Sequence, residues 1–102
     1  MISYLMPEVK KAVQERVPNA KLVLFGSRAR GDAKSDSDWD VLILVDKDRI
    51  TANDFSEICD PVFDIGFQTG EYVSPRLYTF EEWDKRKFTP FYKNVTQDGI
   101  VL

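Results

Sequence analysis

The residue types that could do chemistry are crowded into one stretch. Gly26 and Ser27 end a short apolar run, and after a spacer of ten residues comes Asp38-Trp39-Asp40, opening a second apolar run to Val45. Successive side chains on a strand point to opposite faces, so Asp38 and Asp40 share one face and Trp39 and Val41 the other. Two carboxylates held that way at roughly 4 Å repel by on the order of 4 kcal/mol at an effective dielectric of about 20. Such a pair is kept when a cation or a raised pKa offsets the repulsion, and a hard divalent metal is the natural cation. Gly26 lets backbone amides come close to an anion, a helix N-terminus after it offers free N–H groups, and Ser27 adds a hydroxyl. Arg28, Arg30 and Lys34 lie between the turn and the acids, where positive charge suits a triphosphate.

A third acid is expected from Val62-Phe63-Asp64-Ile65-Gly66-Phe67. That run alternates, which predicts a strand with Asp64 on the face opposite Phe63, Ile65 and Phe67. Asp38 and Asp40 would then hold two divalent ions, with Asp64 completing the ligand set of one. Two such ions about 3.5–4 Å apart stabilise the attacking and leaving oxygens of an in-line displacement at phosphorus. Rival motifs fail on chemistry. A Walker A loop starting at Gly26 would need a lysine where Asp32 stands. An EF-hand starting at Asp36 would need a glycine at Val41 and a glutamate at Lys47. Arg30-Gly31-Asp32 is read as coincidence. The bland alternative, that these aspartates only form turns and open strands, explains each residue singly but not their joint placement.

The elements that must position these residues follow from periodicity. Met6, Val9, Val13 and Val17 have helical spacing, with Pro7 fitting the first turn and Pro18-Asn19 stopping the helix. Lys21–Phe25 reads as a strand, Arg28–Ser37 as a helical turn and loop, and Asp40–Val45 as the central strand of a sheet. Thr51 to about Cys59 suits a short helix capped by Thr51 or Asn53 and separated by Pro61 from the Val62–Phe67 strand. Tyr72–Thr79 is an edge strand, since Pro75 cannot donate to an interior ladder. Phe80–Trp83 starts a helical turn, and Thr89–Leu102 a last helix broken by Gly99. The fold class is α/β (α+β), a small mixed sheet flanked by helices, in one domain spanning 1–102.

Composition narrows the partners. A net charge of −3 and a pI near 4.9 give no basic face for bulk nucleic-acid binding. The chain has no histidine, which removes serine triads, cysteine–histidine pairs and histidine-ligated metals together, and leaves metal work to carboxylates. The single cysteine, Cys59, excludes an intrachain disulfide and reads as a packed thiol. No run approaches a membrane span of roughly 18 apolar residues, so the expectation is a cytoplasmic protein without a membrane partner. Trp39, Trp83, Phe88 and Phe91 are read as core or partner-facing. The apolar tail, Phe88 to Tyr92 with Ile100, Val101 and Leu102, offers a surface for a protein partner or a homodimer.

The chain resembles the polymerase-β-like nucleotidyltransferases, and within them the minimal nucleotidyltransferases. Phe25-Gly26-Ser27, the ten-residue spacer, Asp38-Trp39-Asp40 and the later lone Asp64 match that pattern in order, most densely over Leu24–Asp46. The resemblance implies a polymerase-β-like core. It also implies transfer of a nucleoside monophosphate from a nucleoside triphosphate, ATP in first place, to a hydroxyl with release of pyrophosphate. On that pattern Asp38, Asp40 and Asp64 are catalytic and metal-binding, Asp64 is the base, and Gly26, Ser27, Arg28 and Arg30 bind the nucleotide. Mg²⁺ is the expected ion, with Mn²⁺ suiting the same ligands. Small bacterial members of the family often pair with a HEPN-domain protein as antitoxins that adenylylate a toxin tyrosine. Larger members carry a second domain over the acceptor; 102 residues supply none, so the acceptor is expected on another protein, with an aminoglycoside-like hydroxyl compound as the other choice. A non-catalytic module acting by stoichiometric contact is the alternative.

Overall fold

The computed structural model describes residues 2–102, with side chains from Tyr4 onward. In chain order the elements are α1 (Ile2–Arg16), β1 (Lys21–Phe25), α2 (Ser27–Arg30), β2 (Trp39–Val45), α3 (Ala52–Thr69), β3 (Val73–Thr79), α4 (Phe80–Asp84), α5 (Pro90–Asp98) and β4 (Ile100–Val101). The strands form one mixed sheet in the order β3-β2-β1-β4. β1 runs antiparallel to β2 and β4, and β2 parallel to β3. The expected α/β class with a small mixed sheet flanked by helices is the one observed.

The period of two along β2 divides the core in two. Trp39, Val41, Ile43 and Val45 join Leu22 and Leu24 under Leu5, Met6, Val9 and Val13 of α1 and Ile58, Cys59 and Val62 of α3. Leu42 and Leu44 face the other way, with Val23, beneath Val95 of α5 and the partly buried Phe25, Tyr78, Trp83 and Phe91. β2 is buried along almost its whole length because both faces are covered, which is why it reads as a nearly continuous apolar run.

Three expectations are corrected. The Val62–Phe67 strand does not form; these residues are the second half of α3, which runs through Pro61. Ile58, Cys59, Val62 and Gly66 bury at helical spacing, and that stripe outweighs the local alternation. A capping box starts the helix: Thr51 Oγ1 accepts from Asp54 N–H (3.1 Å) and Asp54 Oδ2 from Thr51 N–H (3.0 Å). Pro61 cannot donate to the Glu57 carbonyl, but Glu57 lies on the exposed side, where water can satisfy it. Secondly, α1 begins a turn earlier than periodicity suggests, leaving Pro7 inside the helix. Thirdly, the segment after Gly99 is the short strand β4, paired to β1 through Val23↔Val101 and Leu24↔Ile100. The edge position of β3, with Pro75 in it, is as expected.

Candidate active site

Antiparallel pairing of β1 with β2 sets the site. Phe25, the last residue of β1, lies opposite Asp40, so the turn leaving β1 passes directly beside that carboxylate. Gly26 there has φ 74° and ψ −159°, a region essentially closed to side chains. Its carbonyl accepts from Ala29 N–H (3.1 Å) and Arg30 N–H (3.0 Å), starting the single turn of α2. The first amides of such a turn have no partner within it. Ser27, half-buried, begins the turn.

Asp38 stands exposed just before β2, and Asp40 is half-buried as the second residue of the strand. Burial pushes the Asp40 carboxyl above its ordinary value; the neighbouring Asp38 charge pushes the same way, while Arg76 and Arg30 partly oppose both. Asp38 is thus close enough for its charge to act on Asp40, though burial is the larger cause. Among the described residues no group of three or more histidine, cysteine, aspartate or glutamate side chains is arranged to hold a metal. Two carboxylate donors nonetheless fit Mg²⁺, which keeps several waters and takes one or two carboxylates beside substrate phosphates.

Asp64 is not brought to this pair. It lies exposed on α3, beside a surface notch lined also by Arg16, Glu57 and Asp60, and α3 covers the sheet face opposite Asp40. The expected third ligand depended on the strand that does not form. On β3, the strand actually neighbouring β2, the residues on the carboxylate face are Ser74, opposite Asp40, Arg76, opposite Leu42, and Tyr78, opposite Leu44.

The two arginines of the loop separate. The Arg28 guanidinium lies 4.3 Å from the centre of the Trp39 ring, on the α1–α3 side of the sheet, donates to Ser37 O (2.9 Å) and Ser35 O (3.3 Å), and pairs with Glu71 at 3.8 Å. It ties the loop down instead of facing the carboxylates. Glu71 also accepts from Trp39 Nε1 (2.7 Å), so Arg28, Trp39 and Glu71 form one unit. Arg30 is exposed, paired with Asp32 at 3.3 Å, and close enough for its charge to act on Asp40.

Sequence reasoning missed Arg76 and Phe91 as parts of this surface. The Arg76 guanidinium lies 5.4 Å from the Phe91 ring centre, and Phe91 meets Phe25 edge-on at 5.4 Å. An edge-strand reading of residues 72–79 carried the parity of Arg76, but only the parallel register to β2 reveals what it stands beside. Further along the same face an open cleft of about 650 Å³ lies between the sheet and α4 and α5, floored by Val23, Leu42 and Leu44 and walled by Trp83 and Tyr92.

A mixed sheet that sets a Gly-Ser turn against a strand-borne aspartate fits the nucleotidyltransferase class. The family model for the nucleotidyltransferase domain matches residues 6–98, and the chain belongs to that family. It is similar to the putative protein adenylyltransferase MJ0604 of Methanocaldococcus jannaschii, with 33% identity over 82 residues, covering 80% of this chain and 76% of that protein. Its fold is similar to a chain from the crystal structure of a toxin–antitoxin MntA–HpeT mutant, at a TM-score of 0.60 and 18% identity, covering 95% of this chain and 70% of that one.

Proposed function

We propose that this chain transfers a nucleoside monophosphate, AMP in first place, from a nucleoside triphosphate to a hydroxyl on a partner protein. The observation that carries the reading is the contact of the Gly26 turn with Asp40, which supports a site where backbone amides and a carboxylate act together on one phosphate. The relative named as a putative protein adenylyltransferase supports AMP and a protein acceptor. The fold neighbour comes from a toxin–antitoxin complex, in keeping with a toxin partner of the HEPN kind that the family resemblance implies.

In this reading Asp38 and Asp40 would hold a divalent cation, Mg²⁺ or Mn²⁺, which when bound would neutralise phosphate charge and polarise the phosphoryl oxygens. Gly26 and Ser27 receive the phosphates on backbone amides and a hydroxyl, and Arg30 adds positive charge. The acceptor oxygen attacks the α-phosphorus; the new P–O bond forms as the bond to pyrophosphate breaks, and the hydroxyl proton passes to solvent water. Arg28 acts at one remove, by holding the loop that carries Asp38. Asp64, on the far side of the sheet, has no part in this arrangement.

A second reading is favoured by the lack of a third carboxylate at the pair among the described residues: a binding module that restrains its partner by stoichiometric contact. The test incubates the purified protein, or its Asp40→Asn variant, with Mg²⁺ and α-phosphate-labelled ATP in lysate of the native cell. Label on a macromolecule with the unmutated protein alone is the expected result, and its mass identifies the acceptor. Absence of label with all four nucleotides would favour the contact module, which keeps its partner and effect in Asp38→Asn and Asp40→Asn.

A further inference from the structure

The edge strand offers a cation to the carboxylate face. Ser74 and Arg76 lie on the same face as Asp40 and Leu42, their ladder partners on β2. Arg76 is not loose on that face. Its guanidinium rests 5.4 Å from the centre of the Phe91 ring, Phe91 packs edge-on against Phe25, and Phe25 is the β1 partner of Asp40. A chain of contacts from β1 across α5 to β3 thus holds the guanidinium on the face of the sheet that carries Asp40. Arg28 and Arg30 are engaged by Glu71 and Asp32, whereas Arg76 is exposed and has no ion-pair partner among the described residues. Stacking on a ring occupies the flat face of a guanidinium and leaves its N–H edge free, the edge that matches phosphate oxygens.

We infer that Arg76 binds the polyphosphate of the incoming nucleoside triphosphate, from the neighbouring-strand position where a third carboxylate was expected. This rests on the nucleotidyltransferase reading above and names a residue of the same site. A carboxylate there would add a metal ligand and repel the phosphates; an arginine supplies fixed positive charge instead, so phosphate recognition depends less on the divalent ion. Charge-assisted contacts of this kind carry a tenfold or larger share of affinity.

The test is calorimetric titration of the purified chain and its Arg76→Gln and Arg76→Lys variants with Mg²⁺–ATP, with metal-free tripolyphosphate and with adenosine. Arg76→Gln is expected to weaken Mg²⁺–ATP and tripolyphosphate by roughly ten- to a hundredfold and to leave adenosine unchanged. Arg76→Lys is expected to restore part of the loss, since it keeps the charge without the planar fork. Equal weakening of adenosine would make Arg76 a structural residue and overturn the inference, as would Arg76→Gln binding Mg²⁺–ATP within twofold of the unmutated chain. An unmutated chain that binds none of the four nucleoside triphosphates nor tripolyphosphate would overturn the nucleotidyltransferase reading as well. Should Arg76→Gln fail to fold, Arg76→Lys decides: a severalfold loss of tripolyphosphate affinity with adenosine unchanged supports recognition by the guanidinium fork, and unaltered tripolyphosphate affinity or a loss of adenosine binding overturns the inference.

Discussion

A Cβ on Gly26 would stand 3.3 Å from Asp40 Cγ and closer still to the carboxylate oxygen Oδ2. The spacing of the Gly-Ser turn and the two aspartates in sequence is therefore one spatial constraint. β1 must end where β2 begins, and the turn between β1 and α2 must carry no side chain for Asp40 to keep its place.

Gly26→Ala accordingly strains the backbone at φ 74° and drives a methyl into the carboxylate. The expected cost is about 1–3 kcal/mol of stability from the backbone alone. Nucleotidyl transfer should fall more than stability does, since the carboxylate is displaced even in molecules that remain folded. Denaturant melts and labelling rates on one preparation check both, and an active Gly26→Ala protein would separate the turn from the chemistry.

Replacing Asp40 should stabilise the fold at neutral pH. Its pKa is raised above the ordinary 3.8 by burial and by Asp38. A carboxyl whose folded pKa exceeds its unfolded one favours the folded state while protonated, and that stability is lost as pH rises through the folded pKa. Asp40→Asn removes the penalty. Its melting temperature should exceed that of the unmutated protein at pH 7, with the gap closing as pH falls below about 4. Millimolar Mg²⁺ should narrow the gap at pH 7 by stabilising only the protein with both acids. A variant less stable than its parent at pH 7 would mean that Asp40 is held by contacts stronger than its desolvation.

How much was legible in the sequence follows from the range of each signal. The Gly26–Ser27 turn, β1 and β2 are set by neighbours within a few residues, and these stand as read, whereas Asp38 falls just outside the strand whose alternation was to fix its face. Asp64 was misplaced because Val62–Phe67 satisfies two periods at once: it alternates locally, yet Ile58, Cys59, Val62 and Gly66 make a helical stripe that only a longer window reveals. Pro61 encouraged the wrong division, since an interior proline usually ends a helix. Arg28 looked like a phosphate ligand until its partners, the carbonyls of Ser35 and Ser37 and the distant Glu71, were in place. The two-residue strand β4 has too few residues for a period to show.

Asparagine substitutions of the acids should separate them. Asp38→Asn and Asp40→Asn are each expected to lower transfer by about 100-fold or more, the scale on which single electrostatic stabilisers act. Asp64→Asn should leave transfer within about twofold and melting within a degree or so, because an exposed carboxylate on the outer side of α3 lies away from the pair. A large loss in Asp64→Asn would require α3 to reach the other face of the sheet, or a partner copy to supply that acid.

The thiol of Cys59 should be silent. It is fully buried in the α1–α3 cluster, and its pKa is pushed up to about 12, mainly by burial and secondarily by Asp60. Thiolate is the reactive species, so modification by a disulfide reagent at pH 8 should proceed only as fast as the fold opens. Rates that rise with denaturant in step with unfolding are expected; rapid modification of the native protein would show that the cluster opens locally near Cys59.

Arg28 is expected to act on the loop and not on the nucleotide. Its side chain is 16% exposed, stacks on Trp39 and donates to two loop carbonyls, while Glu71 takes both its charge and the indole N–H of Trp39. Arg28→Ala removes a charged donor from the partly buried Ser37 carbonyl and the exposed Ser35 carbonyl, and a loss of about 1–3 kcal/mol is expected. Arg28→Lys should recover little, because an ammonium cannot stack and reach both carbonyls with a planar fork. Hydrogen exchange should show the 31–38 segment losing protection first, and Mg²⁺–ATP affinity should fall only in step with that loosening. If Arg28→Ala weakened tripolyphosphate binding as strongly as Arg76→Gln while the loop kept its protection, Arg28 would have to swing from Trp39 to the phosphates on binding.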